Sequence, residues 1–288
     1  LAVLMAAAMT SSIFGAVPAM ASEDKPFEGQ EITFADTGGG SWDEKLEPII
    51  AKFEEETGAK VNMELYAHSD YLEMLQVKLP SESDDYDVIG VDVPLVASYA
   101  TKGWIAPIDS YFTDDEKAQF ASSALDAGTW DGVFYCPAMN SSSQLLWYNT
   151  ELLDEAGVEV PESSVENHLT WEQVVDMAKK TLEVVDPDGT KGIGGIAFEQ
   201  VSRTYQMNQI PNSLGGKNIG DDGYTAQGVI NDDAWIEGAT WYQNLFKDGV
   251  ALQGFTADDT GSFFLAGKIV FLIGGTCRSE ERRVGKEC

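Results

Sequence analysis

The stretch DGVFYCPAMNSSSQLLWYNTELLDEAG, residues 131–157, decides how the rest of the chain is organised. Residues 133–135 are β-branched or aromatic and predict a short strand. A polar run follows at residues 140–144, and a second apolar strand is predicted at residues 145–148. Asn149–Thr150 then predicts the cap of a helix. The serines between the two strands fit either a surface loop or a segment that faces a ligand, and the residues alone leave both open.

Strand patterns and helix patterns alternate on both sides of this stretch. Before it, the sequence predicts a strand running into a glycine-rich loop at residues 31–40, a strand at 60–66, a helix at 70–78, a buried strand at 87–91 and a helix at 95–101. After it come a helix opened by Thr170–Trp171, a glycine-broken strand at 192–198, a polar loop or short helix at 199–213, a helix at 233–247 and a strand at 269–273. This alternation predicts an α/β fold with a parallel sheet covered by helices.

Two starts are open for the first helix, because Pro48 lies among its apolar positions. Ser41 and Glu44 have the spacing of a capping box, which favours an early start with a kink at the proline. Alternatively, the helix begins near Glu47, with Pro48 in its first turn, where a missing N–H is tolerated. In that case Ser41 and Trp42 belong to the preceding loop.

Several motifs occur in an order that resembles one known family. Asp131–Gly132 before Tyr135 and Pro137, then the polar run, then Tyr148–Asn149 before a helix, is similar to the extracellular solute-binding proteins of sugar ABC importers, the maltose-binding-protein-like type. The resemblance implies a two-lobed periplasmic binding protein type II fold with an incomplete second lobe. It also implies that the polar run is the first crossover between the lobes and faces the ligand. Cys277 stands where the family has a tryptophan.

The resemblance and the two ends of the chain divide it into four expected segments. Residues 1–21 are uncharged and end in a small-x-small pattern, as expected for a signal peptide that directs export to the periplasm. Residues 22–138 are expected to form lobe 1 without its return segment, and residues 139–277 the crossover and part of lobe 2. Residues 278–288 resemble the translation of a sequencing adapter, so we expect the natural protein to be longer than this chain.

Charge and metal-ligand types exclude several classes of partner. The formal net charge is −30, so nucleic acid and anionic membrane surfaces would repel the chain, and no nucleic-acid partner is expected. Cys136 is the only cysteine outside the suspect end of the chain, and no structural disulfide is expected. His68 and His168 have no ligand spacing around them, so neither a metal site nor a cofactor is expected.

Candidate ligand contacts are expected at the carboxyl ends of the strands and in the crossover, where ligands of such sheets bind. An aromatic ring can stack on the apolar face of a sugar, and side chains with several hydrogen-bond positions can hold its hydroxyl groups. The candidates are Gly39, Gly40, Ser41, Trp42 and Asp92 on the rim of the first lobe, Asn140, Ser141 and Ser142 in the crossover, and Tyr205 in a loop of the second lobe.

Three candidates also have a structural interpretation. Trp42 could be a core residue at the start of a helix, Asp92 could be a helix N-cap, and Tyr205 could be an ordinary surface residue. The sequence leaves these alternatives open.

The resemblance, with these features, implies a periplasmic monomer that captures a carbohydrate between two lobes and delivers it to an ABC transporter permease. The alternative is a binder of another small solute, namely a polyamine, a glycerol phosphodiester or a peptide. No Ser-x-x-Lys motif, nucleophile elbow or Cys-His arrangement stands out in the sequence, so no catalytic residue is expected. A glycoside hydrolase with its carboxylate pair among the many acidic residues is the weaker alternative.

Overall fold

The computed structural model describes residues 25–38, 42–160, 162, 164, 166–199, 204–254 and 259–275. The proposed signal peptide at 1–21 and the terminal segment at 278–288 lie outside these residues. The chain divides into two compact units, unit 1 at residues 1–141 and unit 2 at residues 142–288.

Unit 1 combines a parallel sheet with helices that pack on it. Its strands and helices in chain order are β1 (Glu31–Thr37), α1 (Trp42–Thr57), β2 (Lys60–Tyr66), α2 (His68–Lys78), β3 (Val88–Ile89), α3 (Val96–Thr101), α4 (Asp114–Lys117), α5 (Ser122–Ala127), β4 (Thr129–Trp130) and β5 (Val133–Phe134). The predicted α/β class is confirmed here.

The main sheet of unit 1 has the strand order β2-β1-β3, and both pairings are parallel. Parallel strands run in the same direction, so their carboxyl ends meet at one edge. The core beside the sheet gathers side chains from β1, α2 and α3, namely Ala35, Tyr71, Leu75 and Tyr99, each at most 3% exposed. This burial fixes α2 and α3 against the strands, and so fixes the edge where the strands end.

Helix α1 begins at Trp42 and contains Pro48 in its interior. The alternative start near Glu47 is therefore wrong, and Trp42 belongs to the helix. Because Pro48 has no N–H, the helix loses one backbone hydrogen bond at that point. Leu46 and Phe53 offset this cost, since they are only 5% and 3% exposed and hold the helix in the core on both sides of the proline.

Strand β3 is Val88–Ile89, which is shorter than the predicted strand at 87–91. Gly90 still donates its N–H to the Ala35 carbonyl at 2.8 Å. Its own carbonyl accepts from the hydroxyl of Tyr71, at 2.9 Å, instead of from a neighbouring strand. The ladder therefore ends at Gly90, and the chain turns away from the sheet there.

Unit 2 contains a mixed sheet covered by helices. Its elements are β6 (Gln144–Tyr148), α6 (Thr150–Ala156), α7 (Trp171–Val185), β7 (Gly194–Phe198), α8 (Gln209–Ser213), α9 (Asp233–Lys247), α10 (Thr260–Leu265) and β8 (Ile269–Gly275). A 3₁₀ turn, Thr204–Gln206, precedes α8. The predicted helix at residues 233–247 is confirmed with its bounds.

The sheet of unit 2 has the order β6-β8-β7. Strand β7 is parallel to β8, whereas β6 is antiparallel to it. Gln144, the first residue of β6, therefore lies opposite Gly275, the last residue of β8. The carboxyl ends of β7 and β8 and the amino end of β6 all lie at one edge, so the chain enters β6 at the carboxyl edge of this sheet.

Side-chain caps begin the helices of unit 2 where the sequence predicts them. Asn149 accepts from the N–H of Leu152 at 3.2 Å, which starts α6. Thr170 and Gln173 form a reciprocal capping box at the start of α7. Each cap satisfies an N–H that the first turn of a helix leaves unpaired. Among the described helices, none is both long enough and apolar enough to cross a membrane.

Candidate functional site

The carboxyl edge of the unit 1 sheet brings together an acidic side chain and an indole. Asp36 is the penultimate residue of β1 and is 9% exposed. Its Oδ1 accepts from the N–H of Thr37 at 2.7 Å, and its Oδ2 accepts from the indole Nε1 of Trp42 at 3.2 Å. A carboxylate has about four acceptor positions, so these two bonds leave Asp36 able to accept more. We call Asp36, Trp42, Tyr71, Gly90 and Asp92 the unit 1 edge.

Gly90 leaves the space that the carboxylate of Asp36 occupies. A Cβ added to Gly90 would lie 2.0 Å from Oδ1 of Asp36, which is far inside a van der Waals contact. Any other residue at this position would displace the carboxylate or the strand. Because Gly90 has no side chain, the carboxylate of Asp36 can occupy this space.

Tyr71 joins the ends of β1 and β3 beneath this carboxylate. Its hydroxyl lies 2.8 Å from the Ala35 carbonyl and 2.9 Å from the Gly90 carbonyl, and shares its proton between them. Burial, reinforced by the negative charge of Asp36, raises the pKa of the Tyr71 phenol well above its ordinary value. The hydroxyl therefore stays protonated and remains a donor at any physiological pH.

Trp42 is half-buried, and its indole N–H is held by Asp36. This bond fixes the orientation of the ring at the start of α1. Trp42 does lie at the start of a helix, as the structural interpretation has it, but its side chain is not fully buried. A fixed and partly exposed ring is what stacking against a sugar face requires.

Asp92 follows β3 and stands at the N-cap position of the 3₁₀ turn Val93–Leu95. Its side chain makes no capping hydrogen bond there, although its carbonyl accepts from the N–H of Leu95 at 2.9 Å. Asp92 therefore does occupy an N-cap position, but its side chain does not cap the turn. Asp92 is half-buried and follows β3, which pairs with the strand that carries Asp36.

The remaining candidates are not part of the unit 1 edge. Gly39, Gly40 and Ser41 lie outside the described residues. Asn140, Ser141 and Ser142 are exposed, and Tyr205 is half-buried in the 3₁₀ turn of unit 2. Among the predicted site residues, Trp42 is hydrogen-bonded to a carboxylate. That carboxylate belongs to Asp36, which was not one of the candidates.

The sequence analysis did not single out Asp36, Tyr71 or Gly90, which the structure brings together at the unit 1 edge. Asp36 carried a usable signal, because an acidic residue at the end of an apolar strand was the reason to choose Asp92. Tyr71 had no such signal, since its position on α2 predicts only a core residue. The hydroxyl of Tyr71 contributes by donating to the carbonyls of Ala35 and Gly90, which are far from it in sequence.

The corresponding edge of the unit 2 sheet also holds a buried carboxylate. Glu199 directly follows β7 and is 3% exposed. Its Oε2 accepts from the N–H of Gly275 at 3.0 Å, and the indole of Trp147 donates to the Gly274 carbonyl at 3.2 Å. A Cβ on Gly274 would lie 2.7 Å from Oε2 of Glu199. Each unit thus has an acidic group beside a glycine at its carboxyl edge.

Nothing in the described ranges suggests metal or thiol chemistry. No group of three or more histidine, cysteine, aspartate or glutamate side chains within them could hold a metal ion. Burial raises the pKa of the Cys136 thiol to about 11, so the thiol stays protonated at neutral pH. What the two edges offer is hydrogen-bond acceptors and aromatic faces.

Residues 27–278 match the family described as bacterial extracellular solute-binding proteins. A Brucella abortus strain 2308 protein named only as a binding protein is 24% identical over 234 residues, which are 79% of this chain and 53% of that protein. The osmoprotective compounds-binding protein GgtB of Synechocystis is 25% identical over 157 residues, which are 54% of this chain and 35% of that protein. The chain thus spans about half the length of the Brucella relative, and less of the second.

Solved structures share the fold. The GacH receptor of Streptomyces glaucescens, studied with acarbose, superposes with a TM-score of 0.73 at 21% identity, over 89% of this chain and 63% of that one. An ABC substrate-binding protein of Listeria monocytogenes, in complex with cycloalternan, gives 0.73 at 25% identity, over 88% and 63%. A solute-binding protein of Thermotoga lettingae, with α-D-tagatose bound, gives 0.72 at 21% identity, over 89% and 66%.

Proposed function

The chain belongs to the family of bacterial extracellular solute-binding proteins, and from that premise we propose that it binds a carbohydrate and delivers it to the permease of an ABC transporter. The family and the solved relatives are binding proteins and not enzymes. The unit 1 edge is then a ligand site, and no bond of the ligand is broken there.

The pairing of Asp36 with Trp42 carries this proposal. A sugar presents hydroxyl groups around its rim and apolar C–H groups on its faces. The unused acceptor positions of Asp36 suit the hydroxyls, and the fixed ring of Trp42 suits a C–H face. Both groups lie where ligands of parallel sheets bind. Asp92, Asn140, Ser141, Ser142 and Tyr205 are proposed as further contacts, together with Gly39, Gly40 and Ser41.

The setting follows from the family. Its description as extracellular implies work outside the cytoplasm, and we propose the periplasm as the compartment. We further propose that the protein acts as a monomer whose macromolecular partner is the membrane permease. The solved relatives that bind acarbose, cycloalternan and tagatose support a carbohydrate as the class of solute.

A thermal-shift screen of the full-length protein tests the proposed function. Maltose, maltotriose, D-tagatose and D-mannitol are added separately, with spermidine as the test of the polyamine alternative. We expect at least one carbohydrate to raise the melting temperature in a saturable way, because a ligand that binds only the folded state stabilises it. A shift with spermidine and none with any carbohydrate would instead establish the alternative solute class.

A further inference from the structure

Two buried amide oxygens in unit 2 have no hydrogen-bond donor among the described residues. They are Oε1 of Gln144 and Oε1 of Gln206. Gln206 is 6% exposed, and Gln144 is half-buried. A buried acceptor without a donor has lost its hydrogen bonds to water and has formed none with the protein, so such groups are rare in folded proteins.

Each residue has close neighbours in the chain that pack against the main core of unit 2. Side chains alternate along a strand, so Gln144 shares a face with Leu146 and Tyr148. Those two side chains pack against the main core of unit 2. Met207 directly follows Gln206 and packs against that same core.

Gln144 lies at the carboxyl edge of the unit 2 sheet, and the helix that follows Gln206 is linked through Trp171 to the end of β7. Gln144 begins β6 opposite Gly275, the last residue of β8. The helix after Gln206, α8, ends at Ser213, whose hydroxyl accepts from the indole of Trp171 at 2.9 Å. The Trp171 ring in turn lies 5.9 Å from the ring of Phe198, the last residue of β7.

We propose that Gln144 and Gln206 are acceptors for hydroxyl groups of the ligand, and that together they select a ligand with hydroxyls at two positions. This inference rests on the proposed function, because it takes the ligand to be a carbohydrate. A sugar hydroxyl can donate to an amide oxygen, which gives each oxygen the donor that the protein does not supply. An analogue without that hydroxyl would leave the oxygen unpaired and would bind more weakly.

Replacing the buried amide by an apolar side chain of similar length separates this role from a structural one. Gln206→Met should raise the melting temperature of the ligand-free protein by roughly 1–4 °C, because it removes an unpaired buried acceptor. The same change should weaken binding of the best carbohydrate from the thermal-shift screen about tenfold or more. Gln227→Met is the matched control, since Gln227 is exposed in the same unit and should change neither value.

The experiment is differential scanning calorimetry without ligand and titration calorimetry with that carbohydrate, on full-length wild type, Gln206→Met, Gln144→Met and Gln227→Met. Position 144 is less buried than position 206, so Gln144→Met gives a second result if Gln206→Met folds poorly. A lower melting temperature in both test variants would show that the amides are structural and would overturn the inference. Unchanged affinity in both, in a wild type that binds the sugar, would overturn it and leave the proposed function standing. Absence of carbohydrate binding by wild type would overturn the proposed function itself.

Discussion

Asp36 shows how one side chain can be buried and still have acceptor positions left. Its neighbours in sequence and space, Thr37 and Trp42, each donate one hydrogen bond to it. Gly90 leaves room for the carboxylate where any Cβ would lie only 2.0 Å from Oδ1. The position of the acidic group therefore depends on a glycine in another strand.

Gly90→Ala should lower the melting temperature and weaken carbohydrate binding, because the new methyl group must push Asp36 away. A double-mutant cycle checks this cause. In a protein that already carries Asp36→Ala, the same glycine substitution should cost much less stability, since the group it clashes with is gone. Equal costs in both backgrounds would show that Gly90 is needed for another reason.

At the scale of single elements, local signals predicted the helix starts of unit 2 well. Thr170 accepts from Gln173 N at 3.3 Å, and Gln173 Oε1 accepts from Thr170 N at 2.8 Å. These contacts involve residues three apart in sequence, so the pattern alone specifies them. The start of α1 and the end of β3 were not predictable in the same way. The start of α1 depends on how deeply Leu46 and Phe53 are buried in the folded protein, and the end of β3 depends on the hydroxyl of Tyr71 from another element.

Thr170→Ala should destabilise the protein by about 1 kcal/mol through the lost cap of α7. In a chain of this size the melting temperature should fall by roughly 2–4 °C. Thr240→Ala serves as the control, because Thr240 is exposed within α9 and its hydroxyl bonds only to a carbonyl of its own helix. If the melting temperature of Thr240→Ala fell as far as that of Thr170→Ala, the result would contradict the role assigned to the capping box.

The loop at Asp222 should contribute stability that depends on pH. Its carboxylate accepts from the hydroxyl of Thr225 at 2.5 Å and from the N–H groups of Thr225 and Tyr224, each at 2.9 Å. These bonds lower the pKa of Asp222 to about 2. Since the folded pKa lies below the unfolded value of about 4, the contribution is complete above pH 4 and is lost as the pH falls toward 2.

Asp222→Ala should therefore melt at a lower temperature than wild type at pH 7, and the difference should shrink between about pH 4 and pH 2. Asp176→Ala, at an exposed position on α7, is the control for the loss of one surface carboxylate. The readout is the melting temperature of all three proteins across this range. A difference that stays constant down to pH 2 would contradict the assignment.

At the scale of the whole molecule, the sequence predicted the α/β class, and the family comparison agrees with the predicted class of binding protein. Order and spacing of motifs suffice for this, because they report the succession of strands and helices. The candidate site was predicted only in part. Trp42 was named, but Asp36 was passed over although it ends an apolar strand as Asp92 does, and the hydrogen bond between Asp36 and Trp42 is visible only in the fold.

The net charge of −30 gives a further whole-molecule expectation. The protein should not be retained on immobilised DNA or heparin at low ionic strength, because like charges repel and no counterions are released on contact. Retention that falls steeply with added salt would reveal a basic surface that outweighs the total charge.

The most direct measurement is titration calorimetry of wild type, Trp42→Phe and Trp42→Ala with the carbohydrate that gives the largest thermal shift. We expect saturable binding by wild type and a loss of roughly 1–3 kcal/mol in Trp42→Ala, which removes the stacking face. Trp42→Phe keeps a ring but loses the N–H bond to Asp36, so its loss should be smaller. Unchanged affinity in Trp42→Ala, with an unchanged melting temperature, would remove the unit 1 edge from the binding site. Saturable binding of spermidine with no heat from any carbohydrate would contradict carbohydrate capture altogether.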